Sequence, residues 1–302
     1  DCLLRKTKAF VSLLRSTGMR GSNAITLKLN NFQVTEEGVL IERIERKCGT
    51  TRGAERQVFV CIVKGANTTL DPLIHLANHV SNRHSNNPYI FADGFNPKGS
   101  DEASITSFKI QVQRRYIAVL HAVCIAVGIE NGIGVKRLHA FRVLCTNTLD
   151  SLGASSSERE CHVGWMTSTK SKYYASMKHV ALNSRTPYLL SGRLSKDHSP
   201  HPFWNLIGND IHNTFEFFKK IHVVALQVGI ISGGVIDEVL LSQMNADVKV
   251  VEDDNPDILR KRLRDLIHEN EELKRVKLIP QPPVDLSPGE RLTTIIELLK
   301  IH

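Results

Sequence analysis

Apolar residues near the start of the chain recur at the three- and four-residue intervals of an amphipathic helix. Leu3, Phe10, Leu13 and Leu14 fall on one face of a predicted helix over residues 3–16. Gly18 follows and is expected to end it. Similar patterns predict further helices over residues 21–29, 70–83, 105–127, 135–151, 154–162 and 167–178.

A different pattern follows residue 38. Apolar, largely β-branched residues at 39–41, 44 and 58–63 are typical of strands over 39–46 and 57–63, and the polar segment 48–53 between them is typical of a turn. We therefore predict an antiparallel hairpin with Lys47 near its tip. Helices and hairpin together predict a mainly α protein with a small antiparallel β-sheet, which is an α+β fold.

Composition divides the chain into three parts. Residues 1–185 form the first predicted domain. Residues 186–202 are rich in Pro, Ser and His and predict a linker. Residues 203–302 predict a helical C-terminal region.

A short heptad pattern lies in that region, over residues 256–276. Its core positions, spaced by four, three, four and three residues, are Leu259, Leu263, Leu266, Asn270 and Leu273. Two interpretations stay open. The segment is a dimeric coiled coil with a buried Asn, or it is an amphipathic helix that packs on its own domain.

Charge is distributed unevenly along the 302 residues, whose formal net charge is +8. Residues 1–200 hold 27 Lys and Arg against 15 Asp and Glu, a net charge of +12, whereas residues 201–302 hold 12 against 16. This asymmetry favours a polyanionic partner for the first part. A basic surface that serves only solubility is the alternative.

The six cysteines are scattered and include no Cys-x-x-Cys pair, which argues against a zinc site. Several lie inside apolar runs and are expected to be core thiols in a reducing, intracellular compartment. The longest apolar stretch, 221–231, is too short to span a bilayer. No membrane, metal or small-molecule cofactor is expected. Because the chain begins at Asp1, we expect it to be a piece of a longer protein.

Four residues in the middle of the chain combine in an informative spacing. His139 and Arg142 are three apart and share a helix face. Trp165, within Gly164-Trp165, follows Arg142 by 23 residues, and Tyr174 follows Trp165 by nine. A helix-face histidine, a core aromatic or a buried tyrosine is ordinary when it occurs alone. The four at these intervals favour a site.

Two further residues precede this group. Arg20 ends the segment Thr17-Gly18-Met19-Arg20, and Lys47 follows 27 residues later. In order and spacing the six residues resemble the signature of the tyrosine recombinase and phage integrase superfamily. That signature is an Arg after a Thr-Gly-Leu-like turn, a hairpin Lys, His-x-x-Arg, Gly-His or Gly-Trp, and a Tyr nine residues on.

The resemblance covers residues 5–180, and the turn at 152–155 adds to it. Within the superfamily, His-x-Phe-Arg and Gly-Trp are most similar to eukaryotic Crypton-type recombinases, which are transposable elements, and to their kinetochore DNA-binding relatives. The resemblance implies a tyrosine recombinase catalytic domain that acts on double-stranded DNA in the nucleus. It also implies a homo-oligomer assembled on the DNA.

The resemblance also implies a role for each residue. Two guanidiniums, of Arg20 and Arg142, would bind the non-bridging oxygens of the scissile phosphate, and the indole N–H of Trp165 would donate to a phosphate oxygen. The Tyr174 phenol would attack phosphorus and form a 3′-phosphotyrosine. The base would be His139, and Lys47 would protonate the departing 5′-oxygen.

The chain departs from the family pattern in three places. Asn23 stands where the family often has an acidic residue. Arg46 and Arg52 flank Lys47, so the predicted hairpin carries two further cations beside the assigned lysine. Tyr173 neighbours Tyr174 and competes with it as nucleophile. No N-terminal core-binding domain is visible in the sequence.

Three other functions remain open at this point. The chain could be a DNA-binding protein derived from a recombinase, of the centromere- or promoter-binding type, without catalysis. It could be a dimerisation module centred on the heptad pattern. It could also be a nicking enzyme of the type IB topoisomerase kind, which uses the same chemistry.

The charge distribution generates the first testable prediction. The chain should bind duplex DNA through its phosphates. Its affinity for DNA should therefore fall steeply as added salt weakens the electrostatic part of binding. If four phosphates are neutralised, a rise from about 50 to about 200 mM salt should weaken binding roughly a hundredfold. Fluorescence anisotropy with a labelled duplex measures the slope, and a flat salt dependence would remove nucleic acid as the partner.

Overall fold

The computed structural model describes residues 2–46, 55–83, 87–92, 95–126, 138–164 and 177–231. These residues are mainly helical and include one three-stranded antiparallel sheet, which confirms the predicted α+β class. The chain divides into two compact units. One comprises Cys2–Ile110 and Leu138–Gly233, and the other comprises Asp1, Gln111–Arg137 and Gly234–His302.

The helices of the described residues are α1 (Cys2–Thr17), α2 (Gly21–Ile25), α3 (Pro72–Ser81), α4 (Glu102–Ala126), α5 (His139–Ser151), α6 (Ser156–Val163), α7 (Met177–Asn183), α8 (Thr186–Leu190) and α9 (Thr214–Gln227). The strands are β1 (Phe32–Thr35), β2 (Gly38–Arg46) and β3 (Glu55–Val63). Two short 3₁₀ helices cover Leu29–Asn31 and Pro202–Leu206.

The core of the first unit is built around α1. This helix packs against α3, which packs in turn against α9. The three helices bury apolar side chains that include Phe10, Leu13, Leu14, Leu76, Phe217 and Ile221. Phe10 also meets Phe91 edge to face, with the ring centroids 5.3 Å apart. The predicted amphipathic helix over residues 3–16 is therefore confirmed.

The sheet has the order β1-β2-β3, and the long pair β2–β3 runs from Gly38↔Val63 to Arg46↔Glu55. The predicted strands at 39–46 and 57–63 are confirmed, whereas β1 was not predicted because its four residues are too short to show a period. Gly38 lies against the neighbouring strand, since a Cβ placed on it would be 2.2 Å from the carbonyl oxygen of Ile62.

A tight turn joins α5 to α6. Gly153 adopts φ +75°, and the amide of Ala154 donates to the carbonyl of Leu149 over 2.9 Å, which closes the end of α5. Ser155 then caps α6 by accepting from the amide of Glu158, whose carboxylate accepts from the amide of Ser155. Both helix ends are thus fixed by local chemistry that the sequence already displays.

Residues 186–202, for which the sequence predicts a linker, are packed against the sheet. The segment opens with α8, and it buries Tyr188, Leu189 and Arg193. Arg193 donates to the carboxylate of Glu37 over 3.0 Å and lies over the ring of Tyr188. The polar composition of the segment hid this packing, because one buried arginine and two apolar residues suffice to anchor it.

Several predicted features lie outside the described residues. Among them are the hairpin turn at 48–53, the heptad segment at 256–276 and all but the last two residues of the helix at 167–178. Among the helices that the structure describes, none is long and apolar enough to cross a membrane.

A buried histidine ties three helices together. His162, in the last turn of α6, has Nε2 2.9 Å from the carbonyl oxygen of Ser16 in α1 and Nδ1 3.0 Å from the hydroxyl of Thr186 in α8. Nε2 therefore carries the proton and donates, while Nδ1 accepts. Burial lowers the pKa of His162 to about 4, and the charge of Arg43 adds to this effect.

The low pKa of His162 generates the second prediction. Unfolding restores an ordinary histidine, so between pH 6.5 and about 4 the unfolded chain binds a proton that the folded chain does not. Stability should therefore fall as the pH drops through this window, by about 1.4 kcal/mol per pH unit for this group. A second buried histidine, His75, should add to the loss, because burial lowers its pKa to about 3.

Urea unfolding between pH 7 and pH 5 measures this effect. The variant His162→Gln, which keeps a donor but does not titrate, should unfold with a shallower pH dependence than the parent chain. The matched control is His212→Gln, at an exposed position, which should leave the slope unchanged. Equal slopes for the His162 variant and the parent would contradict the prediction.

Candidate nucleic-acid interface

The turn between α1 and α2 presents the first candidate residue. Thr17 caps the end of α1 by donating from its hydroxyl to the carbonyl of Leu13 over 2.7 Å, and Gly18 leaves the helix with φ +57°. Arg20 is then the N-cap residue of α2, with an extended backbone and an exposed side chain. The turn thus places a guanidinium on the surface immediately before a helix N-terminus.

The candidate Arg142 reaches this same turn from α5. Its side chain is only 1% exposed, and Nη1 donates to the carbonyl oxygen of Gly18 over 2.9 Å. The two residues are 124 positions apart in sequence, so the fold brings together the two arginine segments of the motif. The conformation nevertheless commits one nitrogen of Arg142 to the backbone. Its expected contact with a phosphate stays a prediction.

A second close approach joins α2 to α5. A Cβ placed on Gly21 would lie 2.7 Å from Cδ1 of Leu138 and 3.3 Å from its Cβ. Arg20 precedes Gly21, and His139 follows Leu138 as the first residue of α5. Both Arg20 and His139 are exposed. The backbone therefore places these two exposed candidate residues at neighbouring helix N-termini.

The end of α6 also packs against this turn. We call the turn, Arg20, Arg142, His139 and the end of α6 the cluster. A Cβ on Gly18 would lie 2.5 Å from Cγ1 of Val163, the last residue of α6. Gly164 then turns the chain away in the left-handed conformation, with φ +74°. Gly164 is the first residue of the predicted Gly-Trp pair. This pair therefore begins next to the turn that contains Arg20.

Three of the predicted site residues, Lys47, Trp165 and Tyr174, lie outside the described residues, as does the rival Tyr173. The strand that leads to Lys47 is described as far as Arg46. Asn23, the departure from the family pattern, lies within α2, and its amide donates to the carbonyl of Arg20 over 2.9 Å.

Sequence reasoning missed two buried residues of this cluster. Arg43 of β2 is 3% exposed and donates from Nη2 to the carbonyl oxygen of Val163 over 3.1 Å. The second is His162, which is buried and comes directly before Val163 in α6. The signal for Arg43 was its position: it alternates with Val39 and Ile41 on one face of β2, so a period-two reading would have placed it with the core.

A cysteine lies at the centre of the cluster without being reactive. The Sγ atom of Cys145 would be 3.2 Å from a Cβ on Gly18. Burial raises the pKa of Cys145 to about 12, although the charges of Arg142, Arg15 and Arg43 act in the opposite direction. Cys145 is therefore a protonated thiol that packs beneath the turn.

No protein-family model, no curated protein and no solved structure matches this chain. Within the described ranges, no group of three or more His, Cys, Asp or Glu side chains is arranged to hold a metal ion. Arg20, Arg43 and Arg142 contribute positive charge around the turn. An exposed guanidinium at Arg20 and an exposed imidazole at His139 can respectively bind an anionic oxygen and transfer a proton.

The contact between Gly21 and Leu138 generates the third prediction. Gly21→Ala should destabilise the fold by about 1–3 kcal/mol, because the new methyl group overpacks against Leu138. Leu138→Ala alone should cost about 2–5 kcal/mol, since it empties a buried site.

The double variant tests the contact itself. If the two residues touch, the cost of Gly21→Ala should shrink by more than about 0.5 kcal/mol once Leu138 is truncated. Urea unfolding of the four proteins measures this coupling. Strictly additive costs would mean that α2 and α5 do not meet here.

Proposed function

We propose that this chain is a tyrosine recombinase catalytic domain. It cleaves and rejoins DNA strands at specific sites through a covalent 3′-phosphotyrosine on Tyr174, without metal or ATP, and works in the nucleus as an oligomer assembled on double-stranded DNA. The covalent bond conserves the phosphodiester energy, so religation needs no other energy source.

One observation carries the proposal. Arg20, His139 and the Gly164 that precedes Trp165 are distant in sequence, yet they surround one turn, and the buried Arg142 is hydrogen-bonded to it. A recombinase motif requires this convergence, whereas residues that matched the pattern by chance would scatter over the fold. The cationic character of the cluster also suits a phosphodiester.

The roles follow from ordinary side-chain chemistry. A phenol has a pKa near 10, so Tyr174 needs a base and a positive field to attack phosphorus at neutral pH. His139 is the candidate base, and Arg20 supplies positive charge that no pH change in the physiological range removes. When phosphorus is attacked, the bond to the 5′-oxygen breaks, and Lys47 donates the proton that this oxygen takes up.

The burial of Arg142 favours a second candidate function. A recombinase-derived protein that binds DNA without cutting it would need the fold and the basic surface but no guanidinium aimed at a scissile phosphate. Arg142, at 1% exposed, is placed for such a structural role. The two functions share DNA binding and differ in covalent chemistry, so an adduct assay separates them.

The nucleophile generates the fourth prediction. The parent chain, incubated with nicked duplexes that contain its site, should become covalently attached to DNA. Tyr174→Phe keeps the ring but removes the attacking oxygen, so this variant should bind DNA normally and form no adduct. Tyr173→Phe is the matched control and should retain the adduct, because neighbouring residues of the helix that the sequence predicts here would point about 100° apart. Denaturing gels with labelled DNA measure both.

Two further outcomes bear on the assignment. The adduct should survive excess EDTA, since arginine and lysine supply the charge that a metal would otherwise provide. An adduct mapped to Tyr173 would move the nucleophile by one residue. Normal DNA binding without any adduct would select the non-catalytic function.

A further inference from the structure

The second half of α4 carries a stripe of deeply buried side chains. They recur largely at intervals of three and four residues, so they line one face of the helix over about three turns. They are Val112, Tyr116, Val119, Leu120 and Cys124, each at most 2% exposed. Such side chains need neighbours along the whole stripe, because a fully buried residue typically touches about 6–12 others.

The described helices and strands do not supply these neighbours. None of them packs along α4 in the way that α3 packs along α1. The first part of α4 does have a described neighbour, since the ring centroids of Phe108 and Tyr89 lie 5.1 Å apart, and both residues belong to Cys2–Ile110. From Gln111 onward α4 belongs to the other compact unit. We therefore look for the neighbours of the stripe within that unit.

That unit offers two segments that can cover the stripe. Residues 127–137 directly follow α4, but three of these eleven residues are glycines, which have no side chain to pack. The other segment, Gly234–His302, is much longer and contains the leucines of the predicted heptad pattern. It is therefore the segment with enough apolar side chains to bury three turns of a helix.

The heptad pattern matches the stripe in its period. Leu259, Leu263 and Leu266 are separated by four and then three residues, and the same intervals separate the first three members of the stripe. Two helices with apolar side chains at these intervals can pack lengthwise at a crossing angle of about 20°. Pairing between two copies of the heptad segment would also bury the leucines. It would leave the α4 stripe without a cover, yet the stripe is buried within a single chain.

We propose that residues 256–276 dock on the face of α4 that carries the stripe, within the same chain. The heptad pattern is then an amphipathic helix that packs on its own domain and not a dimeric coiled coil. This inference does not depend on the proposed recombinase function. It gives the C-terminal region a role in completing the core of the unit to which α4 belongs.

The thiol of Cys124 reports on this docking. Cys124 lies at the end of the stripe and is 0% exposed, so a maleimide can reach it only when this face of α4 opens. The full chain is treated with maleimide, and the labelling rate of each cysteine is followed by peptide mass spectrometry. Cys61 and Cys145 are buried in the other unit and serve as internal references, because they react faster only if that unit loosens.

Leu266→Asp is the informative variant, because it places a charge in the proposed contact. It should speed the labelling of Cys124 by at least about tenfold and leave the rates of Cys61 and Cys145 within about twofold of the parent values. His268→Asp is the matched control. It introduces the same side chain about 200° around the predicted helix from Leu266, so the rate at Cys124 should stay unchanged.

A milder variant covers the case in which Leu266→Asp speeds the labelling of all three cysteines. Leu266→Ala then replaces it and should give a smaller rise that is still confined to Cys124. A rise shared by all three cysteines in this variant too would overturn the proposal. So would a Cys124 rate that neither substitution changes.

Dilution identifies the chain that supplies the segment. Docking within one chain is independent of concentration, whereas a second copy dissociates as the protein is diluted. Over about a hundredfold dilution, the Cys124 rate of the parent chain should therefore stay constant. A rate that rises on dilution would place a second copy on α4 and overturn the proposal. Neither result bears on the covalent DNA adduct, so the recombinase function is tested separately.

Discussion

The hydrogen bond from Arg142 to the carbonyl of Gly18 is the contact on which the candidate site depends. It joins the first turn of α5 to the turn between α1 and α2, and the guanidinium that makes it is buried. A buried charge is costly unless it is hydrogen-bonded, so the bond from the turn offsets part of the cost of burying this arginine. Gly18 is required there, because its φ of +57° disfavours other residues and a Cβ would meet Val163 at 2.5 Å.

A second buried arginine makes the same kind of hydrogen bond at the end of α6. Arg142 bonds to a carbonyl just beyond the C-terminus of α1, and Arg43 bonds to the last carbonyl of α6. In both contacts a helix end serves as a counterpart of the guanidinium charge. Backbone carbonyls hold a guanidinium without adding a full negative charge.

This arrangement also separates two kinds of cation. Arg20, the N-cap residue of α2, and His139, the first residue of α5, are exposed. Arg43 and Arg142 lie beneath them and fix the elements from which the exposed residues project. Under the proposed function, the exposed pair would contact DNA, and the buried pair would fix the backbone from which the exposed pair projects.

The sequence by itself determined the local structure. The helix at 3–16, the hairpin strands and the turn at Gly153 follow from hydrophobic period, β-branched runs and capping residues, all of which act over a few neighbouring positions. It also supplied the six-residue motif, whose order and spacing are visible without coordinates.

Only the tertiary structure decided that Arg142 is buried while His139, three residues away, is exposed, and that residues 186–202 pack against the sheet. It alone showed that Arg43 reaches α6. These properties depend on contacts between residues more than 100 positions apart, and the side-chain pattern of a single segment carries no information about which distant backbone carbonyl will face it.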